Sequence, residues 1–437
     1  MAPSLPHQGL ARLTKLFNVE PGEMPAVAAG AGMFFLLFTG YFMLRPVRET
    51  MGIAGGVENL QWLFTGTFLA TLAVLPVFGW ISSKVPRRHI LLWTYAFFTS
   101  NLAVFALGFT YDPANAWLAR SFYIWLSVFN LVAISLAWSV LADLLATSQA
   151  KRLFALIAGG ASLGGLTGPV LGTLLVGPIG HAGLLLVSAA LLSGSAIAAF
   201  RLHRWRDVNP LPAEEPAPRA KPLGGHPLAG ATAVMRSSYL AAIALFVVLL
   251  AVVSTFLYFE QARLVAETFP DRTRQTQVFG MIDAFVQACT ILIQVFLTGR
   301  IADRLGIGVL LVGVPLAMAA GFLWLAVAPV FFVLAIVMIA RRVGEYALVR
   351  PGREMLYTVV PPEEKYKAKN VIDTVIYRGG DAIGGWVKRG LDVAAEHPAL
   401  AMVIGSLVAL GWAGTGAWLA VKERRLEIGR PERIASL

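Results

Sequence analysis

Apolar stretches long enough to cross a bilayer recur every 30 to 35 residues along this 437-residue chain. A helix needs about 20 such residues to span the hydrocarbon core. The recurrence therefore predicts a polytopic α-helical membrane protein. Only 14% of the residues are charged, against about 25% in soluble domains. Twelve spans are expected, at 24–52, 57–82, 89–109, 115–145, 152–177, 182–202, 237–266, 275–299, 307–326, 329–358, 370–388 and 397–421. The one cysteine, Cys289, rules out a disulfide framework or cysteine metal cluster, and the six histidines have no ligand spacing. No cofactor is expected. Residues 8–18 read as a short amphipathic helix, with no signal-peptide pattern around them.

A formal charge of +11 could suggest nucleic acid, but its distribution argues against that partner. With both ends inside, cytoplasmic segments and the inner ends of spans hold 23 of the 36 basic residues, and outside loops with the outer ends of spans hold 5. That bias fits an inner (plasma) membrane protein with cytoplasmic termini. The other 8 are arginines away from those span ends: Arg45, Arg48, Arg120, Arg341, Arg342, Arg350, Arg353 and Arg378. Eight carboxylates accompany them: Glu49, Asp143, Glu260, Asp283, Glu345, Glu354, Asp373 and Asp381. Charge at membrane depth is costly unless it faces protein or water. Sixteen such groups suit a solute pathway.

The densest stretch is RRVGEYALVRPGREMLY, Arg341 to Tyr357. On a regular helix Arg342, Tyr346, Arg350, Arg353 and Tyr357 fall within about 80° of one another, a single cationic stripe. Arg341–Glu345 and Arg350–Glu354 are also at ion-pair spacing, so part of the stretch has a structural reading too. The first span ends in GYFMLRPVRETMGIAGG, where Tyr41, Arg45 and Arg48 share a face and Pro46 is expected to bend the helix. An interfacial arginine snorkelling to lipid phosphate is the competing reading there. Arg120 fits pathway and interface equally. Ser254, Tyr258 and Gln261 follow at helical spacing in the seventh span, with Glu260 beside them. Lys151 and Arg152 are read mainly as cytoplasmic topology signals.

Two repeats share one offset along the chain. GWISSKVPRRHIL (from Gly79) matches GRIADRLGIGVLL (from Gly299), and GGASLGG (from Gly159) matches GGDAIGG (from Gly379). Gly79 to Gly299 and Gly159 to Gly379 are the same separation. The matches imply two pseudo-symmetric six-helix halves, as in many secondary transporters. The expected organisation is a lead at 1–23, halves at 24–202 and 237–421, a cytoplasmic linker at 203–236 and a tail at 422–437. The small residues suit close helix packing. The loop with Gly299, Asp303, Arg304 and Gly306 resembles the loop between the second and third helices of the major facilitator superfamily. It reads as a conformational latch.

Four stretches carry a wider resemblance: YFMLRPVRETMGI, ATSQAKRLFALIAGGASLG, SSYLAAIALFVV and EYALVRPGREMLYTVVPPEEKYKAKNVIDTVIYRGGDAIGG. Together they resemble the nucleotide transporter family (ATP/ADP translocase, plastid and bacterial type), a relative of the major facilitator superfamily. The resemblance implies a major-facilitator fold whose first, fourth, seventh and tenth helices line the cavity. The family's first-helix lysine falls on Arg48 and its tenth-helix lysine on Arg353, both implicated in phosphate recognition. Here each is arginine, a bidentate fork rather than a point charge.

The expectation is a monomeric secondary transporter in the bilayer for an organic anion, nucleotide or other phosphate-bearing solute. Arg45, Arg48, Arg120, Arg342, Arg350 and Arg353 are its candidate anion ligands. Tyr41, Tyr258, Glu260, Gln261 and Tyr346 would orient the rest of the solute, and Gly299, Asp303 and Arg304 would gate. The alternative is a proton-coupled carrier of a neutral or cationic solute. No nucleophile–base pair or Gly-rich phosphate loop points to an enzyme.

Overall fold

A computed structural model describes residues 19–20, 22–210, 229–394 and 398–428. The predicted helix at 8–18, the middle of the linker and the end of the tail lie outside the described residues. The described chain is helical nearly throughout, with no strand. Nine of its helices are long and apolar enough to cross a membrane.

The N-terminal half contains α1 (Met24–Ala54), α2 (Leu60–Lys84), α3 (Arg87–Tyr111), α4 (Ala116–Leu144) and α5 (Thr147–Val208). α1 stays helical through Pro46. Asn115 caps α4 by accepting from the Trp117 and Leu118 amides, which the first turn would otherwise leave unpaired. α5 is two spans joined at Gly180, whose φ of +66° and ψ of −178° break the helical path. Its arms cover the two spans expected at 152–177 and 182–202.

The C-terminal half opens with the short α6 (Ala229–Arg236), followed by α7 (Ser238–Thr268) and α8 (Arg272–Ile293). α9 (Gly299–Leu305) and α10 (Ile307–Val327) follow, then α11 (Phe331–Gly344) and α12 (Arg350–Leu356). α13 (Pro362–Val371), α14 (Tyr377–Ala394) and α15 (Pro398–Ile428) complete it. Three π turns, Gln294–Thr298, Glu345–Val349 and Ile372–Ile376, join α8 to α9, α11 to α12 and α13 to α14. The expected tenth span is therefore not one regular helix. The expected loop at Gly299 is also displaced: helix continues to Leu305, and the turn is made at Gly306, with φ +77°. A nine-helix count with one bent double span, plus two charged helices interrupted by π turns, is compatible with twelve crossings.

Both copies of the glycine repeat pack as close helix contacts. A Cβ on Gly160, Gly164 or Gly168 of α5 would stand 2.2, 2.5 or 2.6 Å from the carbonyl oxygens of Ala31, Phe35 and Thr39 on α1. In the other half a Cβ on Gly380 would meet Ala251 at 3.0 Å, and one on Gly384 would meet Thr255 at 3.4 Å. Gly160 and Gly164 are separated from Gly380 and Gly384 by the repeat offset, and Ala31 and Phe35 from Ala251 and Thr255 by the same offset. The repeat thus reproduces partners as well as residues. Inside a bilayer, where apolar burial gives helices little reason to associate, such close van der Waals approach holds them together.

The chain forms two compact units. One takes the described residues up to Arg48, those from Val74 to Pro210, and Thr276–Ala284 of α8. The other takes Glu49–Ala73, all of α7, the rest of α8, and the remainder of the C-terminal half. The second unit's core runs through Phe246, Phe322, Tyr357 and Trp412, with the Phe246 and Trp412 rings 5.5 Å apart.

Candidate functional site

In the first unit the charged end of α1 meets aromatic rings and one carboxylate. The Arg45 Nε lies 3.7 Å from an Asp283 oxygen on α8, and Asp283 is buried. The guanidinium of Arg48 sits 4.1 Å from the centre of the Tyr123 ring on α4. Tyr41 packs beside Phe129, their rings 6.3 Å apart. Desolvated cation–π contacts of this kind contribute about 2 kcal/mol. Arg45, Arg48 and Tyr41 thus belong to one cationic, aromatic-walled cluster. Arg120 has an aromatic partner on its own helix. Its guanidinium stacks 4.8 Å from the exposed Trp117 at the first turn of α4, which fits the interface reading.

The second unit gathers charge around the π turn that follows α11. Arg341 donates to a Glu345 oxygen at 2.9 Å and to the Ser254 hydroxyl at 2.8 Å. Arg350 approaches the other Glu345 oxygen at 3.5 Å and stacks 4.6 Å from the Tyr346 ring. Arg341, Arg342 and Glu345 are buried, while the Arg350 side chain is 56% exposed. The expected Arg341–Glu345 pair forms. The expected Arg350–Glu354 pair does not: Glu354 accepts from Lys369 at 2.5 Å, and Arg350 reaches back five residues instead. A π turn brings residues five apart together, as an α-helix does for residues four apart.

The same turn divides the predicted stripe. Arg353 pairs with Asp373 at 3.0 Å, and Tyr357 is wholly buried in the core. On α7, Glu260 is buried and paired with Arg263, which also holds Glu267 at 3.0 Å. Gln261 is buried, and Tyr258 meets Phe64 edge-on at 5.2 Å. Asp381 takes Arg378 at 3.3 Å and the Thr255 hydroxyl at 3.4 Å. Asp303 and Arg304 are exposed and form no ion pair with any described residue.

Arg152 is more than a topology signal. It binds both Glu23 oxygens, at 2.9 and 3.1 Å, and Glu20 at 2.9 Å. Arg206 donates to Gln149 at 2.6 Å beside it. A cavity of about 320 Å³ lies among these groups and Trp205.

Sequence reasoning missed several participants. Tyr123 gave no signal as the partner of Arg48, because ring contacts across helices leave no spacing pattern. Lys388, the last residue of the expected eleventh span, is buried and paired with Asp392 on α14. Gln294 and Thr298 stood in an apolar run and donate to the carbonyls of Tyr346 and Ala347, at 3.0 and 2.8 Å. A polar amide in such a run was the available signal.

Residues 27–384 match the family model described as the Major Facilitator Superfamily. No curated protein matches the chain. A bacterial homolog to the human lysosomal transporter Spinster, inward-facing and unoccupied, has a similar structure. Its TM-score is 0.61 at 14% identity, over 92% of this chain and 98% of that one. A bacterial homologue of the iron transporter ferroportin, inward-facing, has the same TM-score, identity and coverage. The nucleoside transporter NupG matches with a TM-score of 0.53 and 16% identity, over 93% of this chain and 99% of that one. At these identities the likeness is one of fold.

Proposed function

The chain belongs to the Major Facilitator Superfamily, a multi-pass membrane protein of the secondary-transporter type, and from that premise we propose that it carries an organic anion bearing phosphate, a nucleotide being the leading case. The observation that carries this reading is the cluster around Glu345. One buried carboxylate is shared by Arg341 and Arg350, with buried Arg342 next in the chain. Guanidiniums gathered at one such point suit a phosphate, which would be held through charge-assisted, bidentate hydrogen bonds. Arg45 and Arg48, within reach of Tyr41 and Tyr123, form a second cationic group whose aromatic walls suit a planar solute. The resemblance of both segments to the nucleotide transporter family, with Arg48 and Arg353 at its basic positions, supports the same reading. So does the common offset of the two repeats, from which two halves at 24–202 and 237–421 are proposed. Cytoplasmic termini in a bacterial inner membrane remain part of the proposal, on the strength of the basic-residue bias.

Purified protein in liposomes preloaded with ATP, ADP or inorganic phosphate should exchange labelled external ATP. Flux of a sugar phosphate but not of ATP would narrow the solute to a different phosphate ester. Solute uptake driven by a pH gradient, with no anion exchange, would favour the proton-coupled alternative. Asp381 is the observation that speaks for that alternative. It is buried, and it holds both Arg378 and the Thr255 hydroxyl.

A further inference from the structure

The π turn between α11 and α12 has a local cause. Pro351 carries no amide hydrogen, and its ring crowds the carbonyl four residues back, that of Ala347. The Arg350 amide reaches back five residues to the Glu345 oxygen. In an α-helix that amide would serve Tyr346. The carbonyls of Tyr346 and Ala347 are therefore both deprived of their regular donors. Carbonyls within a membrane span need partners. Here the neighbouring π turn supplies them. Gln294 Nε2 donates to Tyr346 O at 3.0 Å, and Thr298 Oγ1 lies 2.8 Å from Ala347 O. The same hydroxyl lies 3.2 Å from Ile293 O, five residues back in its own helix. It stands between irregular carbonyls of both helices.

The turn also sets a phase. Gly344 and Gly352 are eight residues apart, which places them about 80° apart on a regular helix. A π turn accommodates one extra residue, leaving seven effective steps and an offset of about 20°. Both glycines consequently face α10, where a Cβ would meet Val314 at 2.6 Å and Leu310 at 2.9 Å. By the same count Arg350 moves from about 80° to within about 20° of Arg342, while Arg353 moves from about 20° to about 80° from Arg342.

We infer that Gln294 and Thr298 are positioning residues for solute recognition: by satisfying the two carbonyls that Pro351 and the π turn strand, they hold the phase that groups Arg350 with Arg341 and Arg342 around Glu345. The inference deepens the anion reading above and rests on it for its functional meaning. Its geometric content is independent of any solute. Neither residue touches the arginines in the structure; both act through the backbone of the turn.

The experiment is a distance measurement without solute. Cys289→Ser removes the one native thiol, and spin labels replace Ile336 and Met355, exposed positions on either side of the turn. A helical separation of 19 residues is about 28 Å, within the range of pulsed electron–electron resonance. Gln294→Leu with Thr298→Val should shift the mean distance by several ångströms or split the distribution, as the downstream segment rotates. Thr298→Ser, which keeps the hydroxyl, should match the parent. Should the double variant not survive purification, each single variant is expected to give a smaller shift in the same direction. Parent-like distances in the folded double variant, or in both singles, overturn the inference. Labelled-ATP exchange by the same proteins then reads the function. A raised KM with little change in kcat is expected, restored by Thr298→Ser. A parent-like KM beside a shifted distance would refute the role in recognition. A parent protein that moves no ATP in any variant would refute the solute assignment and leave the distance result standing.

Discussion

The guanidinium of Arg48 lies over the Tyr123 ring, 4.1 Å from its centre, on a helix the chain reaches about 75 residues later. The contact fixes one cation of the first unit in an orientation that sequence spacing did not suggest. The ring also limits how far the side chain can swing toward lipid.

Replacing Arg48 with alanine should weaken capture of the transported anion about tenfold to a hundredfold, the worth of a hydrogen bond to a charged group. Lysine should recover part of the loss, since charge returns without the fork. On the proposed topology Arg48 lies toward the outside and Arg353 toward the cytoplasm, so Arg353→Ala should weaken handling from the cytoplasmic side. Its loss also strands Asp373, so stability should fall with it. Sided exchange in oriented proteoliposomes, with size-exclusion profiles to check folding, distinguishes these effects. Parent-like transport by both alanine variants from both sides would leave the arginines as structural ion-pair members.

The two copies of the glycine repeat should differ in tolerance. Alanine gains about 1 kcal/mol of helix propensity over glycine. At Gly164 its Cβ would stand 2.5 Å from the Phe35 carbonyl oxygen, so the α1–α5 contact must open. Gly164→Ala should lower the thermal midpoint of the detergent-solubilised protein by several degrees. At Gly384 the nearest atom is 3.1 Å away, and Gly384→Ala should be close to neutral. Equal losses at both sites would mean that the two contacts are equally tight.

Thr298 and Pro351 should be energetically coupled. Thr298→Val alone leaves the Ala347 carbonyl short of a donor and should cost about 0.6 kcal/mol, the mean for membrane side-chain hydrogen bonds. In a Pro351→Ala background residue 351 regains its amide, and the same substitution should cost less. A double-mutant cycle on chemical or thermal unfolding measures the difference. Strict additivity would show that the proline is not what strands the carbonyl.

Asp303 is exposed at the end of α9 and has no ion pair within the described residues. Asp303→Asn should therefore leave thermal stability within about 0.5 kcal/mol of the parent. If the loop latches a conformational change, turnover should fall while equilibrium solute binding is kept. A large loss of affinity with turnover preserved would place Asp303 in recognition instead.

Hydropathy and repetition carried the architecture by themselves. A bilayer accepts few structures, so apolar length alone announced the helices, and the repeats marked their small residues as packing positions. That Gly164 and Gly384 would pack closely was legible, because packing at small residues depends on local spacing; that they meet Phe35 and Thr255 was not. Tyr41, Arg45 and Arg48 were legible as a group for the same reason: they share one helix face. The tertiary structure decided which ionisable groups meet. Arg48 stacks on Tyr123, Arg45 approaches Asp283, and Glu354 takes Lys369 in place of Arg350. It also decided the phase of the arginine stripe. The proline that disturbs the helix is in the sequence at 351, but whether a stranded carbonyl is tolerated depends on a donor from another helix. Gln294 and Thr298 are that donor pair, some fifty residues away along the chain. Helical periodicity is a property of neighbours in sequence. The register of a π turn is settled by neighbours in space.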